Sequence, residues 1–432
     1  MRISSRLRYW FLLLALGCSA TALATGNDVL ASFDFGLWRW MNNAFWQQVH
    51  PAPAARMVAG DLDGNGLADA VISFAPATGL GLWRAMNNDT WEPLHPAAAE
   101  QLAVGDLDGN GLDDVVVSFG SELGVWAWMN NGYWQQLHTA AASQLVVGNL
   151  DANHQADVVV SFGPELGVWR WMNNSTWQQL HPLTAEQLAI GDLDGNGLDD
   201  VIVSFGSGLG LWRWMNNDSW LQLHPAAAAR LAIGDLDGNG MDEVVVSFGP
   251  GLGLWVLMNN SGWQQLHPAA AVELTTGDLD GNGKDDIIVS FGSDLGLWAW
   301  MNDEFWQQLH QAAPTRLITA DFDNRVPLIS DPVITYDVYP VGVMIASITI
   351  TAKDPEGDPL SYAWRVSDGT IGGTWITPNG AGAQWNRTKD CHAQGHLYVC
   401  DQYPPGAVTV KATDVYGASG KLTIFETTFP RP

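Results

Sequence analysis

Between Gln101 and His138 the chain alternates short apolar runs with clusters of Gly, Asn and Asp. Four runs stand out, "QLAVGDL", "DVVVSFG", "GVWAWMN" and "YWQQLH". Each is strand length, and three of them carry the polar–apolar alternation of a half-buried strand. "DVVVSF" is apolar on both faces, as a strand sandwiched between two layers must be.

The pattern repeats. The turn between the first two runs starts at Asp61, Asp106, Asn149, Asp192, Asp235, Asp278 and Asp321, spaced 45 residues once and then 43 five times. The third run has its first Trp at 38, 83, 126, 169, 212, 255 and 298, and the fourth has Trp at 46, 91, 134, 177, 220, 263 and 306. Four short strands in each of seven such units predict a seven-bladed β-propeller within residues 25–325. The two ends of the repeat region complement each other. "GNDVLASF" (Gly26–Phe33) matches a second strand with no turn before it, and "ITADFDN" (Ile318–Asn324) matches a first strand with no second strand after it. Pairing the two in one mixed blade closes the ring and removes the edge that an open array would leave.

Composition adds less than pattern. Of the 432 residues, 47% are hydrophobic, enough for a large core, and the net charge of −27 argues against a nucleic-acid partner, whose binders present basic patches. Residues 1–24 read as an export signal: Arg2, Arg6 and Arg8, the apolar "WFLLLALG", then "ALA" at Ala22–Ala24. A lipoprotein reading with Cys18 as the acylated residue is the weaker alternative, because Ala15 stands where Leu is expected. No later stretch is apolar enough to span a bilayer, so a secreted or extracytoplasmic location is expected (periplasm, cell surface or medium). Without Cys18 the cysteines are Cys391 and Cys400, which an oxidising compartment would join in one small disulfide loop.

The turns carry the candidate chemistry. In "DLDGNGLDD" oxygen donors fall at positions 1, 3, 5 and 9, position 7 can offer its carbonyl, and Gly at position 6 permits a sharp bend. This is the first part of an oxygen cage for a hard cation. The bidentate Glu of position 12 is missing, with Val117 in its place, and a strand follows at once. A calcium-clamped hairpin turn is therefore expected, with Mg²⁺ disfavoured by its demand for tight octahedral geometry. Five units are complete: Asp61, Asp63, Asn65 and Asp69; Asp106, Asp108, Asn110 and Asp114; Asp192, Asp194, Asn196 and Asp200; Asp235, Asp237, Asn239 and Glu243; Asp278, Asp280, Asn282 and Asp286. The third unit offers Asn149, Asp151, Asn153 and Asp157, one carboxylate fewer, with His154 in place of the turn Gly, and should bind more weakly. A closing site would have to combine Asp321 and Asp323 with Asp28, with Arg325 where an Asn belongs.

The loop followed by "DDVVVSFG" resembles the FG-GAP/VCBS repeat of integrin α-subunit propellers and many exported bacterial proteins, over about residues 26–325. "SFG" replaces the family's "GAP" element without touching the ligand positions. The resemblance implies a calcium-bearing seven-bladed propeller used for binding, often in adhesion or glycan recognition, although enzymes occur in the family.

The aromatic residues admit two readings. The first Trp of each unit is expected to pack between blades. The later Trp, exemplified by Trp134 with Gln136 and His138 alternating on one side of a strand, suits either core packing or a sugar-stacking platform. The seven histidines that end the fourth runs, six of them in "LH" and His50 in "VH", stand one per blade and cannot share one ion; a structural role is expected of them. A catalytic centre needs different residues in different roles at one place, and the blades are near copies. Multivalent binding of glycans or cell-surface polymers, without catalysis, is the expected function. A polysaccharide lyase or hydrolase on this scaffold, or an adhesion module for a protein ligand, is the rival.

After Arg325 the repeat stops. "ASITITAKD", "LSYAWRVSDG", "GAVTVKATD" and "KLTIFETTF" alternate as an antiparallel sandwich does. "AKDPEGDPLSYAWRVSDGTI" resembles the start of a PKD-type or cadherin-like Ig module, and "VKATDVYGASG" its end. An Ig-like β-sandwich over 328–432 is expected, with the "GGTWITPNGAGAQWNRTKDCHAQGHLYVC" stretch as an inserted loop and Asp354, Glu356 and Asp358 as turn caps or a further calcium site.

Overall fold

A computed structural model describes residues 26–41, 43–87, 90–151, 153–216 and 218–322, then 328–338, 343–353, 360–366, 370–377, 380–388, 391–394, 397–400, 407–413 and 419–425. The export signal, Cys18, Asp323, Arg325 and the Asp354–Glu356–Asp358 group lie outside the described residues. Chain contacts divide into Ala24–Asp323 and a unit holding Asn324–Pro432.

The first unit is a seven-bladed β-propeller of four-stranded antiparallel sheets. Its second blade shows the plan, inner to outer: Gln101–Gly105, Asp114–Ser118, Val125–Met129 and Tyr133–His138. The second strand is buried at every residue, because apolar side chains on each of its faces meet a neighbouring blade. On one face Val115 and Val117 pack toward the first blade, and on the other Val116 and Ala127 pack toward the third. Each hydrophobic cluster therefore bridges two blades, so that a blade by itself has no core.

The first strand of each blade touches the first strands of both neighbours around the whole circle, Arg316–Ala320 meeting Ala54–Gly60 to complete it. Those inner strands press together tightly: a Cβ on Gly105 would lie 2.6 Å from Val147 Cγ1. At their starts Gln101 Nε2 donates to the Ser143 carbonyl (2.8 Å), Arg230 Nε to Val272 (2.7 Å) and Arg316 Nε to Ala55 (2.8 Å), each reaching the next blade.

The ring closes as the complementary ends predict. Arg316–Ala320 joins Asp28–Phe33, Gly36–Met41 and Phe45–His50 in one sheet, with Asp28 paired to Ala320. In every blade the pairing of third and fourth strands carries a bulge near its end, as between Val125 and Trp126 opposite Gln136 and His138. The extra residue turns the final His out of the alternation.

In the second unit Leu328–Val338, Val343–Lys353, Gly380–Thr388 and Thr370–Thr377 form a four-stranded sheet, and Ser361–Val366, Ala407–Thr413 and Ser419–Phe425 a three-stranded one. Ile348, Ile350 and Ala352 of the first sheet share a core with Val408, Val410 and Ala412 of the second, which makes two β-layers. The stretch expected as an inserted loop is instead largely strand. Thr370–Thr377 and Gly380–Thr388 pair within the sheet, and Cys391–Gln394 pairs with Leu397–Cys400. Cys391 stands opposite Cys400 in that hairpin, and their side chains lie outside those described.

Candidate metal centres

The turn between the first two strands is built the same way in each complete unit, and the second unit serves as the example. Asp106 at position 1 organises the bend: its Oδ1 accepts the N–H groups of Gly109 (2.7 Å) and Asn110 (3.1 Å), and its Oδ2 that of Gly111 (2.7 Å). Gly111 at position 6 has φ +84°, a backbone state that costs glycine nothing. The third unit places His154 there at φ +65°. Asp114 at position 9 is fully buried, with Oδ2 accepting the Leu107 N–H (3.0 Å) and Oδ1 the Asn130 N–H (2.7 Å).

One carboxylate oxygen from each of positions 1, 3 and 9 converges in five loops, all within 4.8 Å of one another: Asp61/Asp63/Asp69, Asp106/Asp108/Asp114, Asp192/Asp194/Asp200, Asp235/Asp237/Glu243 and Asp278/Asp280/Asp286. Burial outweighs hydrogen bonding at position 9. It raises the carboxyls of Asp69, Asp114, Asp200 and Asp286 to about 6 and that of Glu243 to about 7, with the neighbouring aspartates adding to the rise. Asp108 Oδ1 is buried and has no hydrogen-bond donor. Three crowded carboxylates with a buried, donorless oxygen fit a hard divalent cation, which would satisfy that oxygen and offset the repulsion.

The third loop does not join that set of three-carboxylate clusters, as its composition foretold. Yet Asn149 Oδ1 and Asp151 Oδ1 are both buried without a donor there. Its Asp157 is also raised to about 6 by burial, an effect that the Arg170 charge opposes. At the closing turn Asp28 is fully buried, and Arg39 Nε lies 3.8 Å from its Oδ2.

Two kinds of residue in this site escape the turn motif. The first is the Asn that ends the third strand. Asn130 adopts φ +51°, caps Asp114 through its backbone N–H, and donates from Nδ2 to Asp108 Oδ2 at 2.8 Å while contacting Asn110. Asn87, Asn173, Asn216, Asn259 and Asn302 hold the same position in their blades. The signal was present as the recurrent "MNN". The second is the Asp at position 8. Asp113 reaches back to the preceding blade, where its Oδ2 accepts the Asp61 N–H (2.9 Å) and its own N–H donates to the Asp61 carbonyl (2.8 Å). Asp199 holds Asn149 and Asp242 holds Asp192 in this way, and Asn27 does the same for Asp278 across the ring closure. The doublet "DD" thus divides its labour between its own loop and the previous one.

The aromatic platform assembles differently from its sequence pattern. Trp134 packs into the seam with the first blade, 5.7 Å from His95 and 5.2 Å from Trp128 between ring centroids. The bulge carries His138 to the other seam, onto Phe162 (4.3 Å) and Trp177 (5.5 Å) of the third blade. Trp134, Gln136 and His138 therefore do not share a face. All seven of these histidines accept at Nδ1 the backbone N–H two residues on, at 2.9 to 3.2 Å, so each neutral imidazole carries its proton on Nε2. Burial lowers the pKa of His138 and His181.

The first Trp of the middle blades is likewise not the seam residue expected. Trp126 is half-buried at the end of its strand and donates Nε1–H to the Leu123 carbonyl at 2.8 Å, an oxygen that also accepts Gln136 Nε2 at 3.2 Å. The second Trp, Trp128, takes the seam.

No family model matches the chain, and no curated protein does. Among solved structures it is similar to crystal structures of BBS1N in complex with ARL6DN. One, soaked with lead, is 12% identical with a TM-score of 0.44, over 76% of this chain and 91% of that one. Another, soaked with mercury, is 13% identical with a TM-score of 0.43, over 77% of this chain and 92% of that one.

Proposed function

We propose that this is an exported, calcium-loaded propeller that binds glycans or other cell-surface polymers through many weak sites, without catalysis. One observation carries the reading. Five consecutive blades present the same group, a half-buried Trp and a Gln amide both hydrogen-bonded to the carbonyl of an exposed Leu: Trp126, Trp169, Trp212, Trp255 and Trp298, with Gln136, Gln179, Gln222, Gln265 and Gln308. An indole face beside an amide suits a sugar ring, whose C–H groups pack on π-electrons while its hydroxyls seek polar neighbours. Identical weak sites on one rigid ring gain avidity from effective concentration.

Calcium is the cation proposed for the loops because the donors are all oxygen and the turn is open. Its role is to stiffen the scaffold. The Cys391–Cys400 disulfide and the Ig-like module as a spacer complete the reading of an exported protein.

A glycan array probed with and without chelator tests the proposal. Polymer binding with no new reducing ends or unsaturated products supports it. Product release transfers the protein to the enzymes, and sugar-independent capture of a protein partner transfers it to protein adhesion.

A further inference from the structure

The seven first strands ring the axis, and in each of them one residue pairs with the Ser of the second strand, at the end away from the metal loops. That residue is Gln in the second, third and fourth blades, and Arg56, Arg230, Glu273 and Arg316 in the others. The position clamps blade to blade. Gln101 does so with one amide N–H, whereas Arg56, Arg230 and Arg316 use Nε, Arg56 reaching the Glu100 carbonyl at 2.9 Å. A clamp therefore needs no charge, yet three of the seven residues are cations. Glu273 offsets part of that charge, its Oε1 lying 2.7 Å from Arg316 Nη1 and 3.8 Å from Arg230 Nη2. Among the described residues no carboxylate forms an ion pair with Arg56.

We infer that this mouth of the ring binds one carboxylate, that of a uronic-acid sugar, between Arg56 and Arg316. The inference rests on the glycan reading and gives it a sugar class and one further site. Arg56 Nη1 and Arg316 Nε donate to the same Ala55 carbonyl, at 2.9 and 2.8 Å, which brings two cations together on adjacent blades. The Nη2 of each holds no hydrogen bond among the described residues, and both side chains are partly exposed. Two guanidinium groups with N–H to spare suit the two oxygens of a carboxylate. Burial and then the Arg316 charge lower the pKa of Arg56, with Glu273 and Glu100 opposing. Glu100 turns its carboxylate outward: a Cβ on Gly120, beyond the second strand, would lie 2.6 Å from its Oε1. The same contact puts the mouth at the end of the blades that carries Trp126 and Gln136. The loop carboxylates stand at the other end of five-residue strands such as Arg230–Gly234, about 16 Å away and about twice the screening length at physiological salt.

Calorimetric titration of the calcium-loaded full chain with sodium methyl glucuronide, beside the neutral methyl glucoside, tests this. Saturable binding at one site per chain is expected, at least about tenfold tighter than the glucoside and weaker as salt rises. Arg56→Gln keeps the clamp, as Gln101 does in the second blade, so the melting temperature should hold while glucuronide affinity falls about tenfold or more. Lys284→Gln removes the same charge from an exposed position on a metal loop and should leave affinity within about twofold. Unchanged binding in Arg56→Gln, or an equal loss in Lys284→Gln, overturns the site. Acetate, inorganic sulfate or a peptide C-terminus that binds as tightly as the glucuronide overturns the sugar class. If polymers bind on the array but the glucuronide does not, this inference falls and the glycan reading stands. If neither binds, both fall.

Discussion

At the level of single residues, the position-9 carboxylate faces opposed demands: burial favours its proton, and cation binding requires the proton gone. The pH dependence follows with a definite sign. In the metal-free protein Asp69, Asp114, Asp200 and Asp286 titrate near 6, above the ordinary carboxyl value of 3.8. Groups raised on folding add stability below their unfolded pKa and lose it as pH rises through the folded one. In chelator, acidifying from about pH 7.5 to about pH 5 should therefore raise the melting temperature. In calcium, the same change should shrink the increment that calcium confers, since protons compete for the ligands. Thermal melts at the two pH values in each buffer check both signs. Asn130 orients Asp108 and Asp114 without needing to be a ligand, so Asn130→Ala should weaken one calcium site about tenfold or more in a calorimetric titration. Asp113→Ala should leave its own loop able to bind and cost about 1 kcal/mol in chemical denaturation, through the lost cap on Asp61. Ala156 is a natural precedent, because it keeps the backbone bond to Asp106 with no side chain to cap it.

At the level of strands, the bulge decides what the aromatic residues do. It divides the fourth strand between two seams, so Trp134 joins the blade before and His138 the blade after. Trp134→Ala should therefore behave as a core truncation and cost about 3–5 kcal/mol. Trp126→Ala should cost only about 1 kcal/mol, for one hydrogen bond and part of a half-buried ring, and should reduce polymer binding instead. Denaturation of the two variants side by side checks the order, and an equal loss would return the first Trp to the core. The repeat and strand count were legible because apolar spacing and turn residues fix them locally. The bulge was not, because one extra residue in a run of six leaves no mark on its alternation.

At the level of the ring, no blade has a core of its own, and stability is shared through seams, inner-strand contacts and loop-to-loop bonds. Calcium, the cation proposed for the five loops, would add to that. At millimolar concentration, against dissociation constants of roughly 10⁻⁴–10⁻³ M, each site contributes about 1 kcal/mol. Chelation should lower the melting temperature by about 10 °C, read by scanning calorimetry. Removal of Asp28–Phe33 should leave Arg316–Ala320 without its sheet partner and Gly36–Met41 with one open edge, and the chain should associate in light scattering.

The sequence by itself determined the number of blades, the mixed closing blade and the converging loop carboxylates at positions 1, 3 and 9, because each follows from local spacing and from the short reach of a turn. Only the tertiary structure decided that Asn130 folds over the loop, that Asp113 serves the preceding blade, and that Arg56 and Arg316 share the Ala55 carbonyl. Those pairings join strands or blades whose separation in space is set by ring closure and sheet register, and neither quantity is written in the spacing of residues along one chain.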